Sequence, residues 1–288
     1  MKIAVIGANG QFGSDIVRTA RGRGMEVIAL THADCDVRDE ASIARALAGV
    51  TEGDAVVNTA AMHKVDECEA DPEAAVAYNA RGAYNAADVA AARGAIAVYT
   101  SSDYVFDGVK RTPYVESDQP SPLSVYGATK YAGEALVRSV PRHHVIRVSS
   151  LFGVAGARGK GGNFVETMLA RARAGERPTV VDDITMSPTS TADAAGLLLD
   201  LLARQAPAGI YHCANDGACT WREFADEIFA QCGLAIRAQP ATAAQIGGQA
   251  RRPSYSALTS ERLATLDLRA RPWREALADY LRSKGYRS

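Results

Sequence analysis

The sequence predicts an α/β protein: a Rossmann-like, doubly wound parallel sheet carrying a smaller C-terminal substrate-binding lobe. Three observations predict it. Short apolar runs without period-2 alternation, such as KIAVIG and DAVVNTAA, recur through the first half, as expected of strands covered on both faces. Ala-rich segments of helical periodicity separate these runs, so the connections are crossovers, and right-handed crossovers build a doubly wound sheet. The first run ends in GANGQFG, glycines set between a strand and a helix as in a dinucleotide-binding loop.

The elements follow in order. KIAVIG is the first strand and DIVRTARGRG its helix; MEVIAL and EASIARALAGV are the second pair. DAVVNTAA precedes a long helical region, PEAAVAYNARGAYNAADVAAARG, and AIAVYTSS precedes a helix starting near Ser124. HHVIRVSS is the fifth strand. After about residue 150 the rhythm changes, beginning with the glycine- and base-rich GVAGARGKGGNF and the helical VETMLARARAGE. TVVDD and GIYHC read as strands flanking the helix TADAAGLLLDLLAR. TWREFADEIFAQCG starts with Thr220 as N-cap and Glu223 three residues on, the spacing of a capping box. WREALADYLRSKG closes the chain as a helix. The expected division is a cofactor domain over 1–150 plus about 179–214, with the substrate lobe over about 151–178 and 215–288.

Composition narrows the function classes. Apolar residues make up 47%, charged residues 23%, and net charge is −1, which offers no global surface for nucleic acid or membrane. Cys35, Cys68, Cys213, Cys219 and Cys232 never fall in a CxxC spacing, so reduced thiols are expected, with neither disulfides nor a metal site. No signal core precedes the first strand, and AAGLLLDLLA is too short to span a bilayer. A cytoplasmic protein is expected.

In the glycine loop, Gly7 permits the turn, Gly10 lets the backbone approach a pyrophosphate, and Gly13 allows close strand–helix packing. Asn9, Gln11 and Phe12 complete the loop, and the helix start supplies unpaired N–H groups for phosphate charge. After the second strand stand Thr31 and His32, where an NAD site usually places an acid for the ribose 2′-hydroxyl. A 2′-phosphate would not be repelled there, so the expected cofactor is NADPH in preference to NADH.

YGATKYAGEAL places Tyr126 and Lys130 four residues apart, on one face of a helix. With Ser102 at the end of the preceding strand, the set suits carbonyl reduction: a tyrosine hydroxyl can protonate the developing alkoxide. Its ordinary pKa of ~10 is high for that task, and a neighbouring ammonium would lower it. Gly127, Ala128, Ala132 and Gly133 are small enough to let this helix approach its neighbours and the cofactor.

The GxxGxxG spacing, with Ser102, Tyr126 and Lys130, resembles the short-chain dehydrogenase/reductase superfamily. The resemblance implies that Ser102 anchors the carbonyl, Tyr126 donates the proton, and Lys130 tunes it while binding the nicotinamide ribose. It also implies adenine contacts at Asp36 and Val37, a cofactor lining at Asn58, Thr59, Ala60 and Ala61, and a structural asparagine at Asn79.

Within that superfamily the chain is similar, over nearly its whole length, to the dTDP-4-dehydrorhamnose reductase family. The segments that carry this are SSDYVFDG, PYVESDQPSPLSVYGATKYAGE, GGNFVETML, SPTSTADAA, GIYHCANDGACTWREFA and RRPSYSAL. The resemblance implies reduction of the C4 ketone of a nucleotide-linked 4-keto-6-deoxy sugar, in dTDP-L-rhamnose biosynthesis. It places Val65, Asp103 and Tyr104 at the sugar and Asn163, Phe164 and Arg252 at the nucleotide. His63, a substrate-side candidate or a solvated loop residue, stands with Lys64 where the family has threonine and a small residue. Ser150 replaces an aromatic, and Tyr255 an asparagine. The expected partners are the keto sugar nucleotide and, for assembly, a second copy of the chain in a homodimer. Alternatives are another sugar-nucleotide reductase or epimerase, or a non-catalytic NADP-binding subunit resembling the regulatory subunit of methionine adenosyltransferase. A dehydratase is disfavoured because no glutamate follows Asp103.

Overall fold

The structure, a computed structural model, describes residues 1–156 and 162–287; the middle of the GVAGARGKGGNF segment lies outside them. Strands β1 (Lys2–Ile6), β2 (Glu26–Leu30), β3 (Ala55–Asn58), β4 (Ile96–Ser102) and β5 (His143–Val148) pair in parallel. After the short β6 (Leu151–Phe152), β7 (Thr179–Val181), β8 (Thr185–Met186) and β9 (Thr189–Ser190), strand β10 (Gly209–His212) joins β5. The six-stranded sheet therefore runs β2-β1-β3-β4-β5-β10.

Both faces of this sheet are covered, which is why its strands lack alternation. Along β1, Ile3 and Val5 enter one apolar core with Ile16 of α1 (Gln11–Gly22). Ala4 and Ile6 enter the other, with Ile43 of α2 (Glu40–Ala46). Then come α3 (Val65–Ala70), α4 (Pro72–Val76), α5 (Gly82–Ala92) and α6 (Val125–Val137). The α5 and α6 helices lie on the α2 face, where Ala83, Ala86 and Val137 are buried. The expected long helix is not continuous: a π-helical turn, Ala77–Arg81, separates α4 from α5. Ser124 caps α6 by accepting the Gly127 amide at 3.2 Å.

Further on lie α7 (Phe164–Arg173), α8 (Thr191–Ala203), α9 (Trp221–Gln231), α10 (Ala243–Ile246) and α11 (Trp273–Ser283), with β11 (Cys219–Thr220) and β12 (Gln239–Ala241) among them. Helix α8 returns to the α1 face through Ala194, Leu198 and Leu201. A third apolar core gathers Val165, Leu169, Phe224, Phe229, Trp273 and Leu277 from α7, α9 and α11. The Thr220–Glu223 capping box is present in both directions, at 3.1 and 2.8 Å. TVVDD does not join the main sheet, because β7 pairs with β12 while Val180 and Met186 pack in the third core. The chain next packs on the main sheet's α1 face at α8, from Thr191. No helix among the described residues is long and apolar enough to cross a membrane.

Candidate active site

The parallel register brings the C-terminal ends of β1, β3 and β4 to one sheet edge, with Ile6 opposite Asn58 and Asn58 opposite Tyr99. The glycine loop starts there. Gly7 takes φ +82°, and its amide and that of Ala8 both donate to the Leu30 carbonyl at 2.9 Å. A Cβ on Gly13 would stand 2.2 Å from the Gly7 carbonyl oxygen, so only glycine permits α1 to begin so close. Gly10 is the N-cap of α1, and no side chain caps the helix. Its first amides are open to an anion. Beside them Gln11 donates Nε2 to the Leu151 carbonyl at 3.0 Å, while its buried Oε1 has no partner. The uncapped helix start, with its free N–H donors, fits a dinucleotide pyrophosphate. Asn9 is half-buried at the loop. Phe12 is not a loop contact through its ring, which is buried in the core beneath α1.

The adenine end of the expected site is built by exchange of local hydrogen bonds. Thr31 donates its amide and hydroxyl to Asp34 at 2.9 and 2.7 Å. Asp36 is clasped by Arg38, with Nη2 at 2.7 Å, which pulls its carboxyl down to about 2. The Arg38 guanidinium lies 4.6 Å from the Tyr78 ring centroid. An arginine thus stands near the second strand after all, but its charge is already paired. Val37 is buried, its carbonyl held by Asn85 at 3.0 Å. Thr59 donates to the Ile6 carbonyl at 2.8 Å, and Asn58 accepts the Ala60 amide at 3.0 Å, fixing Asn58–Ala61 beside Gly7.

Asn79 sits in the π-helical turn, and its side chain is fully spent inside the protein. Its Oδ1 accepts the Met62 amide at 2.9 Å, and Nδ2 donates to the Met62 carbonyl at 3.0 Å and to Thr129 at 3.1 Å. Grouped with the cofactor-side residues as a structural asparagine, it clamps residues 61–64 to α6. Cys68 adds an Sγ contact to the same Met62 carbonyl at 3.4 Å.

Ser102, Tyr126 and Lys130 converge on this edge. Ser102 lies close enough to the Tyr126 hydroxyl to act on its titration, and the Tyr126 ring meets Tyr104 edge-on, centroids 5.7 Å apart. Close approach of α6 depends on Gly127 and Gly133: added Cβ atoms would stand 2.2 Å from the Tyr104 carbonyl oxygen and 2.4 Å from that of Asn79. Ala128 and Ala132, expected to serve the same purpose, face solvent. The electrostatics also differ from expectation. Burial holds the Tyr126 hydroxyl above its ordinary value, with Ser102 opposing and Asp103, Tyr104 and Cys68 adding to the rise. Lys130 is itself sealed in, and burial brings its ammonium down to about 7 against the pull of Glu134 and Cys68. Desolvation acts on both partners before their mutual attraction can.

On the substrate side, Asp103 is buried with its carboxylate turned inward. Oδ1 accepts from Ser102 at 2.9 Å, and Oδ2 from Ser149 at 2.9 Å and Ser256 at 2.5 Å. Burial raises its carboxyl while the three hydroxyls oppose. The expected sugar contact is thus a support for Ser102. Asn163 is also spent: it caps α7 through the Glu166 amide at 3.1 Å and donates to Gly153 and Tyr280 at 2.9 and 3.0 Å. Its side chain is a helix cap. Phe164 stacks on Phe224 and meets Trp221 edge-on. Arg252 pairs with Asp66 at 2.8 Å with its side chain partly exposed, and its charge acts on the Tyr104 hydroxyl. His63 is exposed and Val65 half-buried at the start of α3. Ser150 takes φ +43° at the end of β5.

Sequence reasoning missed the polar layer behind these groups. Glu134 is held at two points by Arg147, accepts Ser101 at 2.5 Å, and lies one helical turn beyond Lys130. Arg147 continues to His212 at 3.3 Å, whose amide donates to Glu116 at 2.8 Å. Glu69 accepts the Val125 amide at 2.8 Å and pins the start of α6. The extension of Tyr126–Lys130 to Glu134 at a second four-residue step was the available signal.

Comparison with known proteins bears on this site. The model of a family described as RmlD substrate binding domain matches residues 1–285. A spore coat polysaccharide biosynthesis protein, SpsK, of Bacillus subtilis is 38% identical over 98% of each chain. A dTDP-4-dehydrorhamnose reductase of Mycolicibacterium smegmatis is 38% identical, covering 96% of this chain and 84% of that protein. The crystal structure of dTDP-4-dehydrorhamnose reductase from Bacillus anthracis in complex with NADP superimposes with a TM-score of 0.91 at 31% identity, covering 98% of this chain and 99% of that one.

Proposed function

This chain belongs to the RmlD substrate binding domain family, and from that premise we propose that it is an NADPH-dependent dTDP-4-dehydrorhamnose reductase. The observation that carries the reading is Ser102 beside Tyr126, with Lys130 one turn on, at the sheet edge that also carries the uncapped glycine loop. The full-length similarity to dTDP-4-dehydrorhamnose reductases supports the substrate class.

A nicotinamide cofactor supplies the hydride when bound, with Gly7, Gly10 and Gly13 and the start of α1 holding its pyrophosphate. Ser102, whose hydroxyl proton rests on Asp103 at 2.9 Å, turns that proton to the C4 carbonyl oxygen and orients it when substrate is bound. Tyr126 gives its hydroxyl proton to that oxygen as it becomes an alkoxide. Because burial keeps Tyr126 above its ordinary pKa, the acid is in its protonated form throughout the neutral range. Lys130 holds the nicotinamide ribose. The elements around the third apolar core form the substrate lobe, and Arg252 meets the diphosphate of the sugar nucleotide. His63, Ser150 and Tyr255 line the sugar side and set which keto sugar is preferred.

The test is oxidation of NADPH against dTDP-, GDP-, CDP- and UDP-linked 4-keto-6-deoxy sugars. The expected result is turnover with the dTDP-linked sugar at the highest kcat/KM. No oxidation with any of them would instead favour a binding subunit.

A further inference from the structure

Lys130 is 2% exposed, and a lysine so deeply buried ordinarily has a carboxylate beside it. Here the nearest acid on its own helix, Glu134, is committed to Arg147 at two points. Among the described residues no carboxylate forms an ion pair with the ammonium. What stands beneath it is an aromatic face: Lys130 Nζ lies 4.1 Å from the centroid of the Tyr99 ring.

We propose that Tyr99 is a positioning residue for Lys130, its ring face holding the ammonium in place and in its charged form. The proposal rests on the role given to Lys130 above. The negative face of an aromatic ring attracts a cation, most strongly where water is excluded, and Tyr99 is itself 1% exposed. The ring cannot drift. Its hydroxyl donates to the Asn79 carbonyl at 2.7 Å, within the π-helical turn. Gly133 of α6 leaves the room for that bond, since a Cβ there would stand 2.6 Å from the Tyr99 oxygen. One contact thus ties β4, the π-helical turn and α6 together at the lysine. The other titratable groups acting on Lys130 are Glu134 on α6 and Cys68 on α3. Tyr126, also on α6, acts on Tyr99. None of these places a hydrogen-bonded anion on the ammonium, so the ring is its direct partner.

The experiment compares Tyr99→Phe with the protein carrying pentafluorophenylalanine in place of Tyr99. The two rings have nearly the same shape, but fluorination reverses the charge of the face. The readout is the titration of the Lys130 Cε–Hε resonance by NMR in the free protein, identified by its loss in Lys130→Met. The titration midpoint is expected to stand lower by about one pH unit, a ten-fold change in proton affinity, in the fluorinated protein. NADPH binding at pH 8 should weaken in parallel, while Tyr99→Phe stays close to the parent in both. Equal midpoints in the two proteins would overturn the proposal, and a loss of thermal stability without a displaced midpoint would reduce Tyr99 to a packing residue. Since the titration needs no substrate, failure of the proposed reaction would leave this result standing.

Discussion

Glu134 and Arg147 form a two-point ion pair sealed from solvent, Nε to Oε1 at 2.8 Å and Nη2 to Oε2 at 2.7 Å. The pair joins the helix that carries Tyr126 and Lys130 to the strand beside β4. Removing one partner strands a buried charge, whereas removing both does not. Arg147→Met should therefore destabilise the protein by about 3–5 kcal/mol. The double variant Glu134→Leu, Arg147→Met should recover much of that. Urea unfolding of the two variants measures both, and a single-variant loss below about 1 kcal/mol would show the pair to be energetically idle.

Lys130 makes stability and activity oppose each other. Its ammonium is lowered from 10.5 to about 7 by burial, so between these values the unfolded chain binds the proton and the folded chain does not. Folding is therefore helped less as pH falls across that window, and below about 7 the full burial cost of the charge is present. Lys130→Met should raise the thermal midpoint, and by more at pH 6 than at pH 9, while abolishing reductase activity. A uniform rise, or a fall, at both pH values would contradict this.

The glycine loop separates folding from cofactor binding. Gly13→Ala would drive a methyl to within 2.2 Å of the Gly7 carbonyl, a backbone clash that should cost about 1–3 kcal/mol. Gly10 has ordinary φ of −78°, and its Cβ would meet only the Gly7 oxygen at 3.2 Å. Gly10→Ala should keep the parent's thermal midpoint yet weaken NADPH at least ten-fold by filling the space the pyrophosphate needs. Calorimetric titration with NADPH distinguishes the two, and equal affinity in Gly10→Ala would move the cofactor elsewhere.

What the sequence disclosed follows from how local the rules are. The Thr220–Glu223 capping box, the helix start near Ser124 and the turn at Gly7 each depend on a few consecutive residues, and each is where the sequence puts it. The three candidate catalytic residues were legible because strand–turn–helix spacing brings Ser102 to Tyr126. Non-local choices were not legible. Nothing near Thr179 says that β7 will pair with residues 239–241. Nothing near Asp103 announces that Ser149 and Ser256 will close around it. The backbone partners of Asn163 and Asn79 were not legible for one reason: an amide serves a ligand and a backbone equally well, and nothing local says which it will meet.

The proposed reaction turns on Tyr126 protonating the C4 oxygen. The most direct measurement is single-turnover reduction of dTDP-4-dehydrorhamnose by NADPH in the parent protein and in Tyr126→Phe, with cofactor binding and thermal midpoint measured alongside. The predicted result is a loss of about 10²–10⁴-fold in the reduction rate with NADPH affinity and midpoint nearly unchanged. Reduction at the parent's rate in Tyr126→Phe would contradict it.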